Sequence, residues 1–279
     1  MKDTPLVDIK NSEKILISND IGFYTSHLGD TSLGDPTSDY GVLLVHGFTG
    51  SNLELLYLGN YLANYGYRVM IVLLPGHGTN FEDLKNYNLH DWKSKIQEVY
   101  DILQNEKKGR KIVIGGHSLG GALLLNIIRD LSCSGIVLMA TPIRYNWIIR
   151  TYVKLRGRTG AKMYYAGFRF HNKELLDNPL TDFFDTRYEY IYFSSLREVF
   201  RAMEAAYSAL PLIDTPIKLI YGTNDYRVGK SHPKIIMDHV ASRQKELVWI
   251  DQTDHILVID TDHALVAEEF LKFCESLKV

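Results

Sequence analysis

Short apolar runs alternate with helix-length amphipathic stretches along most of the chain. Apolar runs without internal alternation are typical of strands buried on both faces of a parallel sheet. The predicted strands of this kind are Val42–Val45, Arg68–Leu74, Lys111–Gly115, Ile136–Ala140, Ile217–Tyr221 and Glu246–Ile250. The predicted helices are Leu53–Asn64, Asp91–Gln104, Leu119–Asp130, Pro233–Val240 and Asp262–Leu277. Strands that alternate with helices imply right-handed crossovers, so the pattern predicts an α/β fold with a mostly parallel, doubly wound sheet.

The N-terminal residues 1–40 differ from this pattern because they are polar and rich in Asp, Ser, Thr and Gly. Two weak strand patterns, Lys14–Ser18 and Ile21–Ser26, flank a turn-like sequence. We expect an antiparallel edge hairpin that leads into the main sheet.

A second departure from the pattern begins at about Ile143 and ends at about Leu212, and it is too long for one strand-to-helix connection. It contains helix-like segments such as Leu196–Leu210. We therefore predict a core of residues 1–142 and 213–279, with a helical cap of residues 143–212 inserted after the sixth strand. The many aromatic residues of the cap either line an apolar pocket or form the cap's own core, and the sequence favours neither.

Composition and charge exclude several classes of protein. The 279 residues carry a formal net charge of −2, so no strong field attracts nucleic acid. Cys133 and Cys274 lack metal-binding spacing, and we expect two reduced thiols. The N-terminus lacks the apolar core of a signal peptide, and no apolar run approaches the roughly 20 residues of a spanning helix. A cytoplasmic protein without a transmembrane segment is the expectation, and its oligomeric state is not indicated.

Basic residues are concentrated in the first part of the predicted cap, where eight lie between Ile143 and Lys173 without an acidic residue. They are Arg144, Arg150, Lys154, Arg156, Arg158, Lys162, Arg169 and Lys173. One interpretation is peripheral contact with anionic lipid or an anionic substrate. The favoured interpretation is a solvated helix face, balanced by acidic residues that follow it.

The most informative motif is Gly-His-Ser-Leu-Gly at 116–120, which fits G-x-S-x-G. It directly follows the strand Lys111–Gly115 and directly precedes a helix, which is the context that the motif requires. The two glycines leave room where a Cβ would clash, and the sharp turn holds the hydroxyl of Ser118 clear of the sheet. Ser118 is therefore the candidate nucleophile.

A serine nucleophile needs a base and an acid that orients the base. After a G-x-S-x-G turn these partners follow in the order acid, then histidine. Asp225 lies just beyond the strand Ile217–Tyr221, and His255 lies just beyond the strand Glu246–Ile250. Because open α/β sheets form their sites at the carboxyl ends of strands, we predict that Asp225 orients His255 as the general base.

Other carboxylates are weaker candidates for the acid. Asp251 and Asp254 are too close to His255 in sequence to reach its ring easily, and no Asp or Glu lies between Asp130 and Glu174. Asp260 is the remaining rival, with a helix cap or a surface charge as its alternative role.

An oxyanion hole requires two backbone N–H groups that point at the developing negative charge. One comes from the residue after the nucleophile, Leu119. The sequence His-Gly-Phe-Thr-Gly at 46–50 follows an earlier strand, and we assign Phe48 as the second donor. His46 and His77 are expected to be structural, since no metal-ligand spacing connects them with His255. No metal is predicted.

Together these motifs resemble a known family. The sequences LLVHGFTG, LLPGHG and GGHSLGG, followed by the loops of Asp225 and His255, are similar to those of bacterial carboxylesterases and monoacylglycerol lipases of the α/β-hydrolase superfamily. The resemblance covers roughly residues 40–140 and 214–279. It implies a serine hydrolase of short- or medium-chain esters or monoacylglycerols that needs no cofactor, and a small-molecule ester as its partner. By the same resemblance Ser118, Asp225 and His255 form the triad.

Two further hypotheses stay open at the level of sequence. The same triad serves thioesterases, amidases and C–C hydrolases, which only substrates can distinguish. A binding protein that has kept the fold without the chemistry is disfavoured, because all three candidate triad residues are present.

Overall fold

The computed structural model describes residues 29–164, 188 and 190–278. Its strands are β1 (Thr31–Leu33), β2 (Tyr40–Val45), β3 (Arg68–Val72), β4 (Lys111–His117), β5 (Gly135–Met139), β6 (Lys162–Tyr164), β7 (Tyr190–Tyr192), β8 (Ile217–Gly222) and β9 (Lys245–Ile250). Its α-helices are α1 (Leu56–Asn64), α2 (Phe81–Leu84), α3 (Leu89–Glu106), α4 (Leu119–Ile127), α5 (Trp147–Arg156), α6 (Phe193–Ala209), α7 (Ser231–His239) and α8 (His263–Ser276). The predicted hairpin at Lys14–Ser18 and Ile21–Ser26 lies outside the described residues.

Seven of these strands form one sheet in the order β1-β3-β2-β4-β5-β8-β9. All neighbours are parallel except β1, which pairs antiparallel with β3. The mostly parallel α/β sheet that the sequence predicts is confirmed. Strand β4 lies at the centre, with Val45 of β2 opposite Gly116 and Met139 of β5 opposite His117. The carboxyl ends of β2, β4, β5, β8 and β9 therefore meet at one edge.

Helices cover both faces of the sheet because the central strands are apolar on both faces. Leu43 and Val45 of β2 pack in one buried cluster with α3, α4 and α6. Val42 and Leu44 point the other way and pack with α1 and α8. The alternation of strand side chains thus divides the core into two layers, one on each side of the sheet.

The chain leaves the sheet after β5 and returns at β8, and the inserted segment contains α5, β6, β7 and α6 among its described residues. Helix α6 packs on α4, where the Asn126 side-chain amide donates to the Ala202 carbonyl at 2.7 Å. The insertion follows the predicted strand Ile136–Ala140. The predicted count of six includes the two strands of the hairpin, which lies outside the described residues, and omits β1. The predicted strand Ile136–Ala140 therefore corresponds to β5, the fifth described strand.

Candidate active site

Ser118 occupies the sharp turn between β4 and α4. Its backbone has φ 49° and ψ −115°, a conformation that costs free energy for any residue with a Cβ. A Cβ on Gly116 would lie 2.4 Å from the Gly121 nitrogen, and one on Gly120 would lie 2.1 Å from the Val45 carbonyl oxygen. Both motif glycines are therefore required by close backbone approach, which packs α4 against the ends of β2 and β4.

The structure brings Ser118, His255 and Asp225 together at the carboxyl edge of the sheet. Nε2 of His255 lies 2.9 Å from Oγ of Ser118, and Nδ1 of His255 lies 2.8 Å from Oδ2 of Asp225. Loops after β8 and β9 carry the acid and the histidine, and their side chains are almost fully buried. The three groups form a continuous hydrogen-bonded chain.

The electrostatics of these three side chains favour a neutral imidazole on His255 beside a carboxylate on Asp225. Burial lowers the pKa of His255 below its ordinary 6.5, although Asp225 acts in the opposite direction. Burial alone would raise the pKa of Asp225, but His255 and the backbone N–H groups of Arg227 and Val228 lower it below 3.8. Both N–H groups donate to Oδ1 at 3.0 Å. A His255 ring that donates from Nδ1 to Asp225 presents the lone pair of Nε2 to Ser118.

The rival carboxylates have other partners. Asp260 accepts hydrogen bonds from the backbone N–H groups of Asp254 and Thr261, at 2.9 and 2.7 Å. Asp254 accepts from the backbone N–H of His255 at 2.6 Å, and Asp251 accepts from the Thr223 hydroxyl at 3.1 Å. These contacts stabilise the backbone of the loop that carries His255.

The loop 46–50 lies beside the turn of Ser118. His46 fixes the loop from beneath, because its Nδ1 donates to the Gly47 carbonyl at 2.8 Å and its Nε2 accepts from the Leu74 N–H at 3.1 Å. Phe48 and Leu119, the predicted oxyanion donors, line the same cavity as Ser118 and His255. The ring of His77 packs edge-on against those of His46 and Phe48.

The cavity above Ser118 has a volume of about 320 Å³ and mostly apolar walls. Its lining residues are Phe48, Ser118, Leu119, Pro142, Tyr145, Ile149, Leu196, Val199, Phe200, Met203, Arg227, Val228 and His255. Helices α5 and α6 of the inserted segment contribute Ile149, Leu196, Val199, Phe200 and Met203. The roof of the cavity is therefore built by the insertion, and its floor by the ends of the core strands.

The aromatic residues of the insertion divide between the two predicted roles. Tyr145 lines the cavity, whereas Phe193 is buried and packs edge-on against Tyr152 within the insertion. Tyr188 has a third role, because its hydroxyl donates to the Gly76 carbonyl of the core at 2.8 Å. Trp147 does neither, since it is 71% exposed. Tyr165, Phe168, Phe183 and Phe184 lie outside the described residues, as do the basic residues Arg169 and Lys173.

One pair of buried side chains was missed by the sequence reasoning. Glu54 lies in the 3₁₀ helix Asn52–Leu55, and its Oε1 is 2.7 Å from Nδ1 of His117. Both side chains are at most 5% exposed. The available signal was a single acidic residue within the apolar sequence Leu-Glu-Leu-Leu at 53–56, where a solvated charge is not expected.

No group of His, Cys, Asp or Glu side chains in residues 29–164 and 190–278 is arranged to hold a metal ion. Within the same residues, each helix is too short or too polar to cross a bilayer.

A central parallel sheet with the serine turn between β4 and α4, and the acid and histidine on loops after β8 and β9, defines an α/β-hydrolase fold. A solved structure of a metagenome-derived lipolytic enzyme has the same fold, with a TM-score of 0.78 at 23% identity over 88% of this chain and 97% of that one. The family model of serine aminopeptidase, S33, matches residues 37–262, and the chain belongs to this family.

Two curated proteins are similar over most of their length. A thermostable monoacylglycerol lipase of Bacillus sp. (strain H-257) is 30% identical over 84% of this chain and 89% of its own. A carboxylesterase of Bacillus subtilis (strain 168) is 26% identical over 86% of this chain and 94% of its own. These similarities confirm the resemblance that the sequence motifs indicate.

Proposed function

We propose that this protein hydrolyses carboxylic esters of short or medium acyl chains, including monoacylglycerols, through an acyl-enzyme on Ser118. The observation that carries the proposal is the hydrogen-bonded chain of Ser118, His255 and Asp225 at the floor of an apolar cavity. The two similar Bacillus proteins, a carboxylesterase and a monoacylglycerol lipase, support the same substrate class.

The reaction proceeds in two half-reactions. Oγ of Ser118 attacks the ester carbonyl while Nε2 of His255 accepts its proton, and backbone N–H groups of Phe48 and Leu119 stabilise the oxyanion. The imidazolium of His255 then donates the proton to the departing alcohol, which leaves the acyl group on Ser118. Water attacks this ester with His255 again as base, and the carboxylic acid is released. Asp225 keeps the ring in the tautomer that can accept the proton.

The size of the cavity supports the substrate range. A volume of about 320 Å³ is at the lower end of the roughly 300–1,000 Å³ that ligand pockets occupy. Its apolar walls suit a hydrocarbon chain, and we propose that the cap, residues 143–212, selects the acyl group through them. The cap includes Val199 and Met203 of α6, whose side chains are almost fully buried beside the cavity.

The test is hydrolysis of p-nitrophenyl esters from acetate to palmitate, together with monoacylglycerols, by the wild type and by Ser118→Ala. The variant is expected to lose roughly 10⁶-fold in kcat, because the nucleophile is removed. A fluorophosphonate probe should label the wild type and not Ser118→Ala. Ser208→Ala, which removes an exposed hydroxyl of α6, is the matched control and should be labelled like the wild type. Ester hydrolysis that survives in Ser118→Ala would refute the proposal.

Other acyl substrates are outcomes of the same experiment. Acyl-CoA thioesters, p-nitroanilides and aminoacyl amides can react at the same triad, and the name of the family, serine aminopeptidase, makes the amides a necessary comparison. A kcat/KM for any of them above that for the best ester would replace the ester assignment while keeping the mechanism.

A further inference from the structure

The buried pair of Glu54 and His117 connects three parts of the candidate active site. Oε1 of Glu54 accepts a hydrogen bond from the backbone N–H of Gly47, in the loop that carries Phe48, at 2.7 Å. The same oxygen lies 2.7 Å from Nδ1 of His117, which directly precedes Ser118. Nε2 of His117 lies 3.0 Å from the backbone carbonyl oxygen of His255. One imidazole ring therefore bridges the loop 46–50, which we call the oxyanion loop, and the loop of the proposed base, His255.

The partners of His117 determine how many protons its ring carries. A carbonyl oxygen accepts hydrogen bonds and cannot donate one, so the contact with His255 requires a proton on Nε2. Oε1 of Glu54 already accepts a hydrogen bond from the Gly47 N–H. An oxygen of an ionised carboxylate accepts two donors better than an oxygen of a protonated carboxyl group does. A proton on Nδ1 of His117 completes this arrangement, and the ring is then an imidazolium.

The charged and titratable groups around His117 are consistent with a buried ion pair. Glu54 faces Nδ1, while His46 from the oxyanion loop and Asp225 and His255 from the loops after β8 and β9 surround the ring. Burial alone would lower the pKa of His117, but Glu54 raises it above its ordinary value. Burial alone would raise the pKa of Glu54, and His117 lowers it to about 2.

The loop around Glu54 is shaped for its carboxylate. A Cβ on Gly50 would lie 2.2 Å from Oε2 of Glu54, so the carboxylate occupies the space that a larger residue would fill. A Cβ on Gly47 would lie 3.1 Å from Nδ1 of His117 and 3.3 Å from Cβ of Ser118. The first and last glycines of the sequence Gly-Phe-Thr-Gly at 47–50 thus pack on the ion pair and beside the proposed nucleophile.

We infer that Glu54 and His117 form a positioning pair that is ionised at neutral and mildly alkaline pH and holds the oxyanion loop and the loop of His255 around Ser118 during ester hydrolysis. The inference rests on the proposed function, since it assigns the pair a role in the same reaction. The pair also acts through its charge. The ring of His117 lies 5.5 Å from that of His255, centroid to centroid, and its positive charge disfavours a second imidazolium. The base is thereby kept neutral and able to accept a proton.

Neutron diffraction from deuterated crystals of the wild type at about pH 8 tests the protonation directly. We expect deuterium on both ring nitrogens of His117 and on Nδ1 alone of His255. A single deuterium on His117 would overturn the inference. This result does not depend on turnover, so it separates the inference from the proposed function, which Ser118→Ala tests on its own.

Kinetics of Glu54→Gln test the positioning role. The variant retains the size of the side chain but removes the counter-ion, and we expect a fall in kcat of roughly 10- to 100-fold with little change in KM. We also expect the acid limb of the kcat/KM profile to move to higher pH, because a neutral His117 no longer lowers the pKa of His255. The matched control is Glu106→Gln, which breaks ion pairs with Arg68 and Arg110 near the amino ends of the strands.

The control should keep both kcat and the acid limb of the wild type. An acid limb in Glu54→Gln that coincides with that of Glu106→Gln would contradict the electrostatic role of the pair. An unchanged kcat would contradict the positioning role. If Glu54→Gln does not fold, the neutron result for the wild type still decides the protonation on which the inference depends.

Discussion

Replacement of Asp225 by Asn should change the tautomer of His255, because backbone groups of the loop after β8 fix the orientation of the new amide. Two backbone N–H groups, from Arg227 and Val228, donate to Oδ1 of Asp225 at 3.0 Å. In Asp225→Asn only the amide oxygen can accept these two bonds, so the amide NH₂ must point at Nδ1 of His255. That donor selects the tautomer with its proton on Nε2, and the ring then cannot accept a proton from Ser118.

The expected loss in kcat is roughly 10⁴-fold, the size seen when a triad histidine is held in the wrong tautomer. It corresponds to about 5.4 kcal/mol of lost transition-state stabilisation, since each tenfold is about 1.36 kcal/mol. The assay is hydrolysis of a short p-nitrophenyl ester under saturating conditions. KM should change little, because Asp225 does not line the cavity that we assign to the acyl chain.

The matched control is Asp260→Asn, which neutralises the rival carboxylate on the loop of His255. Its two hydrogen bonds come from backbone N–H groups on different oxygens, from Asp254 to Oδ2 and from Thr261 to Oδ1, so the amide keeps one acceptor and loses the other. We expect kcat within about tenfold of the wild type. A kcat for Asp225→Asn within tenfold of the wild type would refute the reasoning. A large loss in Asp260→Asn with activity kept in Asp225→Asn would transfer the role of the acid to Asp260.

Three further predictions concern the cavity, the serine turn and acid stability. Met203→Ala removes a buried side chain from the cavity wall and should shift the maximum of kcat/KM to a longer acyl ester; an unchanged chain-length profile would place the acyl chain elsewhere. Gly120→Ala brings a Cβ to 2.1 Å from the Val45 carbonyl and should give little folded protein by circular dichroism, whereas Gly160→Ala, with open space around it, should fold normally. Burial opposes ionisation of Glu54, but its histidine partner lowers its pKa from 4.5 to about 2, so its stabilising effect is present above about pH 4.5 and is lost as the pH falls towards 2. As the pH is lowered from about 4.5 to about 2, the Tm of Glu54→Gln should therefore fall less than the Tm of the wild type. An equal fall in Tm for both proteins would contradict the ion pair.

The sequence predicts most of the core because its signals are local. The predicted strand Lys111–Gly115 ends at a G-x-S-x-G turn. The observed β4 begins at the same residue and ends at His117, close to the predicted end. The parallel sheet then explains why Asp225 and His255, 30 residues apart, have side chains in hydrogen-bond contact. Each lies just after a parallel strand, and residues that follow adjacent parallel strands lie at the same edge of the sheet.

The remaining features depend on contacts that no local pattern records. Glu54 and His117 are 63 positions apart, and neither spacing nor periodicity indicates that they touch. The division of cap aromatics between wall and core is of the same kind, because it depends on how α5 and α6 are placed over the sheet. Strand β1 is only three residues long and pairs antiparallel at the edge, so it lacks the apolar run that marks the central strands.

Two carboxylate–histidine pairs thus lie side by side in this site, and they differ in the group that meets the second ring nitrogen. For His255 that group is the hydroxyl of Ser118, which can donate as well as accept, so a neutral ring is satisfied. For His117 it is a carbonyl oxygen, which can only accept, so the ring needs both protons. The same two residue types therefore support opposite protonation states 5.5 Å apart, and the charge on the second ring helps to keep the first ring a base.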